Sequence, residues 1–413
     1  MLRIEILAAF YNFAQEMKGL KFIATFLLIF SWTGVLSQES GLSGKKNALK
    51  QRLDSAAVRK YNPLYIEVPQ RPWRIILRNR LDQSNTKFVT NNTLTVNGLV
   101  NDTQMDMNIE SQLQSTAGIW VGYRGLGIGY SYKLNKQAGF NFSISATGAK
   151  YGINFKLRSM DIEKMHMIFK DTELGSTETL ESDAQFPTPI NVSSFNLNGY
   201  YVLNGRNYSQ AAAYKQVVIQ RRSAGSLLLG GTAVTTVIDM SDKYNAAIIA
   251  LTDSLGLLTF GHISGGVGYG YNYVPAQGWT INAMAMTFIS FSDLIIRKKY
   301  DCNYDFIGQN DVDDYGEWDS ENRIWANGKS RKPTFIGNNL INWQEDVDIW
   351  EMRVDDEKSS YTFNLDLRTG ATYCWDRYFL NATGMINLFS CGHDKNQVRL
   401  FDWNISASFG IRL

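Results

Sequence analysis

The strongest catalytic candidate in this 413-residue chain is a histidine and a serine two positions apart, His262 and Ser264. A barrel-borne lipid hydrolase needs this combination, with the histidine acting as a general base. Side chains two residues apart on one strand are about 7 Å apart, which is too far for a hydrogen bond. Catalysis would therefore need a serine and a carboxylate from neighbouring strands. The sequence favours a protein without enzymatic activity and keeps the hydrolase as an alternative.

A second candidate is the densest polar motif of the chain, which contains two adjacent arginines. It consists of Arg221, Arg222, Ser223, Ala224, Gly225 and Ser226. Two guanidinium groups beside small residues could bind a phosphate or the acidic sugar of a lipid headgroup. The alternative is a turn that places both arginines at a membrane surface or in an interior, where arginines are common. We favour the turn.

An acidic stretch is the main candidate for a metal site. Its acidic residues are Asp311, Asp313, Asp314, Glu317, Asp319 and Glu321. An EF-hand that starts at Asp311 would have Tyr315 at position five and Asn322 at position twelve, and neither fits. A looser calcium site and a solvated acidic loop both remain open, and we predict no metal and no cofactor.

The three cysteines are too far apart in sequence for a CxxC metal site. They are Cys302, Cys374 and Cys391. A single disulfide in an oxidising compartment stays open, and sequence spacing does not choose its partners.

The stretch from Phe401 to the C-terminal Leu413 shows the kind of element that must position these candidates. Its odd positions are all apolar, and its even positions are polar except Gly410. Successive side chains on a strand point to opposite faces, so this is one strand with an apolar face and a polar face. Thirteen residues suit a tilted strand that crosses a membrane, which needs about 9–11.

The same alternation recurs along most of the chain after residue 65. We count about twelve strands, within a range of 10–14, and almost no helical periodicity after Lys60. Aromatic residues make up 13% of the chain and prolines number only 7, which suits long twisted strands with interfacial aromatic girdles. The predicted fold is all-β: a transmembrane antiparallel β-barrel of about 12 strands with a short N-terminal helix.

The N-terminus has the order of a secretory signal peptide. Lys18 and Lys21 precede a short apolar run, which ends near Ser37. We predict a signal peptide over 1–37, with 1–16 as a start-site extension, and a partly helical periplasmic leader over 38–64. The barrel then occupies 65–413, with long loops at 160–190 and 297–359. A soluble secreted β-protein, whose strands would alternate in the same way, is a second alternative.

Charged residues recur on the polar faces of the predicted strands, which would line the lumen. These candidates are Arg78, Arg80, Glu110, Lys156, Arg158, Asp366, Arg368 and Arg412. Charges buried in a narrow lumen must pair with one another or be hydrated. We expect a narrow polar lumen with arginine–carboxylate pairs, because twelve strands fall between the filled eight-stranded barrel and the open sixteen-stranded porin.

Several short stretches resemble a family of outer-membrane barrels from Bacteroidota, the domain of unknown function 4421 (DUF4421). They are Tyr200-Tyr201-Val202-Leu203-Asn204, Asn207-Tyr208-Ser209, the run from Gln220 through Ser226, Gly266-Val267-Gly268-Tyr269-Gly270-Tyr271-Asn272, the Gly122-Tyr123-Arg124-Gly125-Leu126-Gly127-Ile128 hairpin and Tyr65-Ile66. The resemblance spans residues 61–413, with 297–359 as an inserted departure. It implies a fold and a location but no catalytic residues.

These observations predict an outer-membrane protein that is a narrow channel or a surface scaffold or binding protein. Its expected partners are outer-membrane lipid and the outer-membrane assembly machinery, which would engage the C-terminal strand. The net charge of +2 gives no electrostatic footprint for nucleic acid. The sequence leaves the ligand, the oligomeric state and the choice between channel and scaffold open.

Overall fold

The computed structural model describes residues 60–413. Gaps fall at 97–98, 135–138, 172–178, 246–247, 250–251, 253 and 394–395, and between 303 and 360 only short strands and 349–359 are described. The predicted signal peptide, residues 38–59 of the leader and most of the acidic stretch therefore lie outside the described residues.

Strands dominate the described chain. They are β1 (Ile66–Glu67), β2 (Trp73–Val96), β3 (Leu99–Glu110), β4 (Gln114–Tyr123), β5 (Leu126–Lys133), β6 (Gly139–Thr147), β7 (Tyr151–Asp171), β8 (Thr179–Val202), β9 (Ile219–Gln220), β10 (Ala224–Asp239), β11 (Leu255–Tyr273), β12 (Trp279–Cys302), β13 (Asp305–Ile307), β14 (Trp318–Asp319), β15 (Ile324–Trp325), β16 (Lys332–Ile336), β17 (Asn339–Trp343), β18 (Ile349–Ser359), β19 (Phe363–Trp375), β20 (Tyr378–His393) and β21 (Asn396–Arg412). A five-residue helix, α1 (Gln210–Tyr214), and a 3₁₀ turn (Lys243–Asn245) interrupt them.

Twelve of these strands form a closed antiparallel ring, which confirms the predicted transmembrane β-barrel. The ring order is β2, β4, β5, β6, β7, β8, β10, β11, β12, β19, β20, β21, and β21 pairs back onto β2. The closing register runs from Arg74 opposite Arg412 to Thr90 opposite Asn396. Closure leaves no free sheet edge in the ring, which is what a strand protein needs inside hydrocarbon.

The two ends of the barrel differ. At the inner end, defined here as the end where Trp73 exchanges backbone hydrogen bonds with Leu413, most connections are short. At the outer end, strands continue well past the ring: β3 pairs with the distal half of β2 and with β7, and β18 pairs with the distal half of β12.

Residues 160–189 belong to these outer extensions. We expected a surface loop here, but β7 runs on to Asp171 and β8 begins at Thr179, and the two strands pair along most of this length. The strands still pair here, so the loss of apolar alternation in the sequence has another cause. Beyond the ring, the two faces of a strand no longer contact lipid on one side and the lumen on the other. Likewise, the expected insertion at 297–359 begins and ends in the paired arms of β12 and β18.

Apolar side chains of the ring point outward, as the alternation predicted. In the last strand Ile405 is 57% exposed, while its neighbours Asn404 and Ser406 are buried inside. Phe363 is 74% exposed, and Trp403 and Phe142 are partly exposed rather than packed in a dry core. The outer surface is therefore the apolar one, as in a barrel surrounded by lipid and opposite to a soluble barrel.

Aromatic rings form a girdle around the outside of the inner end. The ring centres of Trp73 and Tyr123 are 5.0 Å apart, and those of Trp279 and Tyr373 are 4.9 Å apart. Further contacts link Tyr373 through Trp375 and Tyr378 to Phe409. Such amphipathic rings are typical of the interface between headgroups and acyl chains. No helix in the described residues combines the length and the apolar character that a membrane span requires.

A charge placed on the apolar outside should destabilise the barrel. We expect Ile405→Lys to cost about 2–4 kcal/mol, the usual penalty for a lysine on the lipid face near the midplane. Urea unfolding in lipid vesicles, followed by heat-modifiable gel mobility, measures it. Gln397→Lys, on the same face of β21 but beyond the apolar band, is the matched control. Equal stability of Ile405→Lys and Gln397→Lys would contradict the proposed lipid-facing surface.

Candidate functional site

The interior of the barrel contains a polar chamber with a volume of about 310 Å³. Inward positions of the ring strands line it, together with Gln210, Tyr214 and Lys215 from residues 204–220. Six of the eight predicted lumen residues belong to this lining: Arg78, Arg80, Lys156, Arg158, Asp366 and Arg368. Each lies at an inward position of its strand, as side chains that alternate every two residues do.

The other two predicted lumen residues lie elsewhere. Glu110 is exposed on the outer extension, where its carboxylate accepts a 2.7 Å hydrogen bond from the Gln83 amide. It misses the lumen because β3 is not a ring strand. Arg412 is buried inside the ring near the inner end, with its guanidinium 4.8 Å from the centre of the Phe379 ring.

An ion-pair network crosses the chamber. Arg158 on β7 donates to Asp402 at 2.9 Å and also to Asp82 on β2. Strands β4, β5 and β6 separate β7 from β2 in the ring, so these contacts span the lumen rather than join neighbouring strands. Arg80 Nε lies 3.5 Å from Asp82. The network draws opposite walls together and narrows the chamber.

A second ion pair lies within strand β19. Arg368 donates through Nε to Asp366 at 2.9 Å, and both side chains belong to β19. Because the two residues are two apart on one strand, the pair was recognisable from the sequence. Asp82 and Asp402 were equally recognisable, since each occupies the inward parity of its strand.

Residues 204–220, here called the inner plug, fold back into the ring and close its inner end. Ser209 caps α1 by accepting a hydrogen bond from the Ala212 amide. Tyr208, Ala213 and Gln216 are completely or almost completely buried. The sequence shows this segment only as a short alanine run, and we did not predict it as a plug.

Side chains from around the ring hold the inner plug through its carbonyl groups. Arg74 on β2 donates to the Lys215 carbonyl at 2.8 Å, and Asn381 on β20 donates to the Ala213 carbonyl at 3.0 Å. On the far wall, the Asn272 amide donates to the Ser209 carbonyl at 2.9 Å. Because these contacts come from widely separated strands, the plug fills the cross-section.

Trp120 packs inside the ring on the chamber side of the plug. Its indole lies over Gly127 and Gly129, where an added Cβ would approach the ring to 1.7 Å and 2.5 Å. The guanidinium of Arg74 lies over the indole, 5.1 Å from the ring centre. Glycines are required here because only a bare backbone allows the indole to lie against the wall.

The arginine-rich motif follows the plug in the chain and lies at the exposed inner end of the barrel. Arg221 forms an exposed 2.9 Å ion pair with Glu67, and Arg222 is exposed. Ser223 Oγ accepts a hydrogen bond from the Val274 amide, and Ser226 Oγ accepts one from the Asn204 amide. Gly225 faces Tyr269, whose hydroxyl would lie 2.0 Å from an added Cβ. The motif thus forms a turn, and its serines bind the protein's own backbone.

The segment before the barrel covers the plug. Ile66 packs with Ala212 and Val218 in a small apolar cluster, and β1 pairs with β9. Residues 65–67, where we predicted the barrel to begin, therefore pack on the inner plug, and the first ring strand begins at Trp73.

Inward apolar side chains, here called the outer apolar core, fill the other end of the ring. The ring strands contribute, among others, Phe88, Met160, Val192, Ile238, Phe260, Ile295, Phe389 and Val398, and β3 adds Met105, Met107 and Ile109. All of these side chains are almost completely buried. We expected a narrow polar lumen, but these positions have the inward parity and are apolar, so this end of the interior is filled by apolar side chains.

His262 lies at the boundary between the chamber and the outer apolar core. Its ring stacks on Phe389 at 4.2 Å, and its Nδ1 has no hydrogen-bond partner among the described residues. Ser264 and Ser290 hydrogen-bond to each other at 3.0 Å. Asp293 is opposite His262 in the register, but it accepts from Thr362 at 2.8 Å. Within the described residues no hydrogen bond links the histidine to either serine or to the aspartate.

No group of three or more His, Cys, Asp or Glu side chains in the described part of the chain has metal-binding geometry. Cys374 is a free thiol, and the Cys391 Sγ donates to the Gly261 carbonyl at 3.6 Å. The side chain of Cys302 and the candidate calcium residues 311–321 lie outside what the structure describes.

An acidic site outside the membrane band stabilises the outer extension. Asp106 on β3 is buried and binds Lys87 at 2.9 Å and Lys170 at 3.3 Å. Burial alone would raise the pKa of Asp106, but hydrogen bonds from Lys87, Lys170 and Gln104 outweigh it and lower the pKa below its usual value. The two ion pairs of Asp106 join β3 to β2 through Lys87 and to β7 through Lys170.

A family model described as Domain of unknown function (DUF4421) matches residues 77–411. No match was found among curated proteins. Similar solved structures include the outer membrane protease OmpT from Escherichia coli, with 9% identity, 84% of this chain and 98% of that chain covered and a TM-score of 0.35. The translocator domain of the autotransporter NalP from Neisseria meningitidis has 10% identity, coverages of 90% and 98% and a TM-score of 0.28.

Breaking the cross-lumen network should destabilise the barrel. We expect Asp82→Asn to cost about 3–5 kcal/mol, because it leaves buried guanidinium groups without one carboxylate. Denaturant unfolding in detergent measures the change. Asp376→Asn removes one partner of the exposed Arg71–Asp376 pair and should leave the unfolding midpoint unchanged. A midpoint for Asp82→Asn equal to wild type would show that the network does not hold the walls together.

The outer extension should loosen in acid. Since the pKa of Asp106 is lower in the folded state than in the unfolded chain, its stabilising contribution is complete above the unfolded value of about 3.9 and disappears as the pH falls through the folded value. Hydrogen exchange of β3 amides at decreasing pH measures this loss. We expect Asp106→Asn to exchange faster at neutral pH and to show a weaker acid dependence. The same acid dependence in wild type and variant would exclude Asp106 as its source.

Proposed function

The chain belongs to the family described as a domain of unknown function (DUF4421), and on this premise we propose that it is an outer-membrane protein that serves as a surface scaffold or binding protein. The family description assigns no activity, so the proposal rests on the lumen. The single observation that supports it most is closure at both ends, by the inner plug and by the outer apolar core.

Closure at two levels argues against an open pore. The plug contacts strands from around the ring, and the apolar core places buried methionine, isoleucine and phenylalanine side chains across the outer end. An ion that entered the core would lose its hydration without gaining ligands, which is costly. A narrow channel remains the alternative, because the chamber between the closures is polar.

The proposed location follows from the outer surface and from the N-terminus. The apolar band and the aromatic girdle fit a lipid bilayer, and the sequence of residues 1–37 has the order of a signal peptide. Closed strand barrels of bacteria occupy the outer membrane. Outer-membrane lipid is then the main partner, and the strand that ends at Leu413 is the proposed contact with the assembly machinery.

We further propose that the protein is not an enzyme. The hydrolase alternative required His262 to meet a serine and a carboxylate across strands. The serines bond to each other, Asp293 contacts both Thr362 and Ser290, and no hydrogen bond joins His262 to any of these groups among the described residues. The long outer strand extensions offer a surface for binding instead.

Planar-bilayer recording separates the scaffold from the channel. We expect no steady conductance from the purified wild-type protein, because both ends of the lumen are blocked. Insertion should be verified by heat-modifiable mobility of the same sample. The double variant Arg74→Ala and Asn381→Ala loosens the plug and should also stay silent, since the outer apolar core is untouched. Steady wild-type conductance would favour the channel, and conductance as large as that of a general porin would overturn the closed lumen.

A further inference from the structure

The polar chamber contains more positive than negative groups. Six cationic side chains line it: Arg78, Arg80, Lys156, Arg158, Lys215 and Arg368. Against them stand three carboxylates, those of Asp366 and Asp402 in the lining and that of Asp82 beside Arg80 and Arg158. Three formal positive charges are in excess.

The excess belongs to specific residues. Arg78 donates to the Ser408 hydroxyl at 3.1 Å, and Lys215 donates to the Asn154 amide oxygen at 3.3 Å. Within the described residues, no carboxylate forms an ion pair with Arg78, Lys156 or Lys215. The three positive groups therefore lack a protein counter-charge.

Two arginines that line the chamber also have buried donors without acceptors. Arg80 Nη2 and Arg158 Nε are buried, and each lacks a hydrogen-bond acceptor among the described residues. The side chain of Arg158 is only 6% exposed. Buried donors without acceptors cost free energy, so native proteins usually satisfy them with protein, water or ligand.

The arrangement of these groups fits an oxyanion. Lys156 and Arg158 are two residues apart on the inward face of β7, and Arg158 reaches Asp82, which Arg80 also contacts. Guanidinium groups match carboxylate and phosphate oxygens in geometry, and lysine adds a compact charge. The volume of about 310 Å³ falls at the lower end of the range for small-molecule sites, which is about 300–1,000 Å³.

We propose that the polar chamber binds a small multivalent oxyanion, coordinated by Arg78, Arg80 and Lys156. The ligand is a free anion rather than the headgroup of a bilayer lipid, because the plug and the apolar core leave no path for acyl chains. This site goes beyond the proposed scaffold role and does not depend on it, since a conducting barrel has the same charges.

Thermal unfolding of the full-length protein tests the site. The protein is refolded into detergent with pyrophosphate, citrate or chloride at matched ionic strength, so that binding does not require movement of the plug. We expect pyrophosphate or citrate to raise the midpoint with increasing concentration while chloride does not, since a ligand of the folded state stabilises it by mass action.

Variants locate the binding. Lys156→Met and Arg78→Gln should each weaken the apparent affinity by about tenfold or more, because each removes one charged hydrogen bond to the anion. Lys156→Arg should keep the shift. Arg222→Gln removes a positive charge from the exposed inner end and is the matched control, which should bind as wild type does. Heat-modifiable mobility verifies that each variant is folded.

Three results would overturn the proposal. They are no midpoint shift with either oxyanion at millimolar concentration, an unchanged shift in folded Lys156→Met, and an equal loss of the shift in Arg222→Gln. Bilayer conductance reports on the scaffold proposal separately, so failure of one is distinguishable from failure of the other.

Discussion

The pairing of the first and last ring strands is the interaction on which the whole structure depends. Strand β21 is hydrogen-bonded to β2 from Arg412 to Asn396 and to β20 on its other side. Without this pairing two strand edges would face hydrocarbon, where each unsatisfied backbone group costs several kcal/mol. Closure also fixes the parity of every ring strand, so it decides which side chains meet lipid and which meet one another.

The inward side chains and the plug divide the interior into three levels along the barrel axis. The inner plug fills the first, where Arg74 and Asn381 bind its carbonyl groups. The polar chamber follows, crossed by Arg158 and its two aspartates. The outer apolar core fills the third level. At its boundary with the chamber, the ring of His262 stacks on Phe389. The proposed binding role therefore falls to the outer extensions rather than to the lumen.

The sequence predicted the parts of the structure that follow from local alternation. Twelve strands, the outward apolar face of β21 and the inward positions of Arg80 and Lys156 all follow from side chains that alternate every two residues. The family resemblance was also confirmed, since the family model covers residues 77–411.

Features that depend on pairing between distant strands were not predictable in this way. Glu110 alternates like a ring residue, but β3 pairs outside the ring, so Glu110 faces water. The inner plug has almost no periodicity and is held through backbone carbonyls, which leave no trace in side-chain patterns. The outer apolar core was recognisable only in part, because inward residues such as Phe88 and Val398 look like any other strand residues until their neighbours around the ring are known.

A spin-label accessibility scan along residues 401–413 tests the central claim most directly. Single cysteine variants, in a background where the native cysteines are replaced, carry the label in lipid vesicles, and oxygen and a water-soluble nickel complex report lipid and water exposure. Oxygen accessibility should peak at the odd positions such as 403, 405 and 409, and fall at the buried even positions such as 404, 406 and 408. Peaks at the even positions, or no alternation, would contradict a barrel whose apolar face meets lipid.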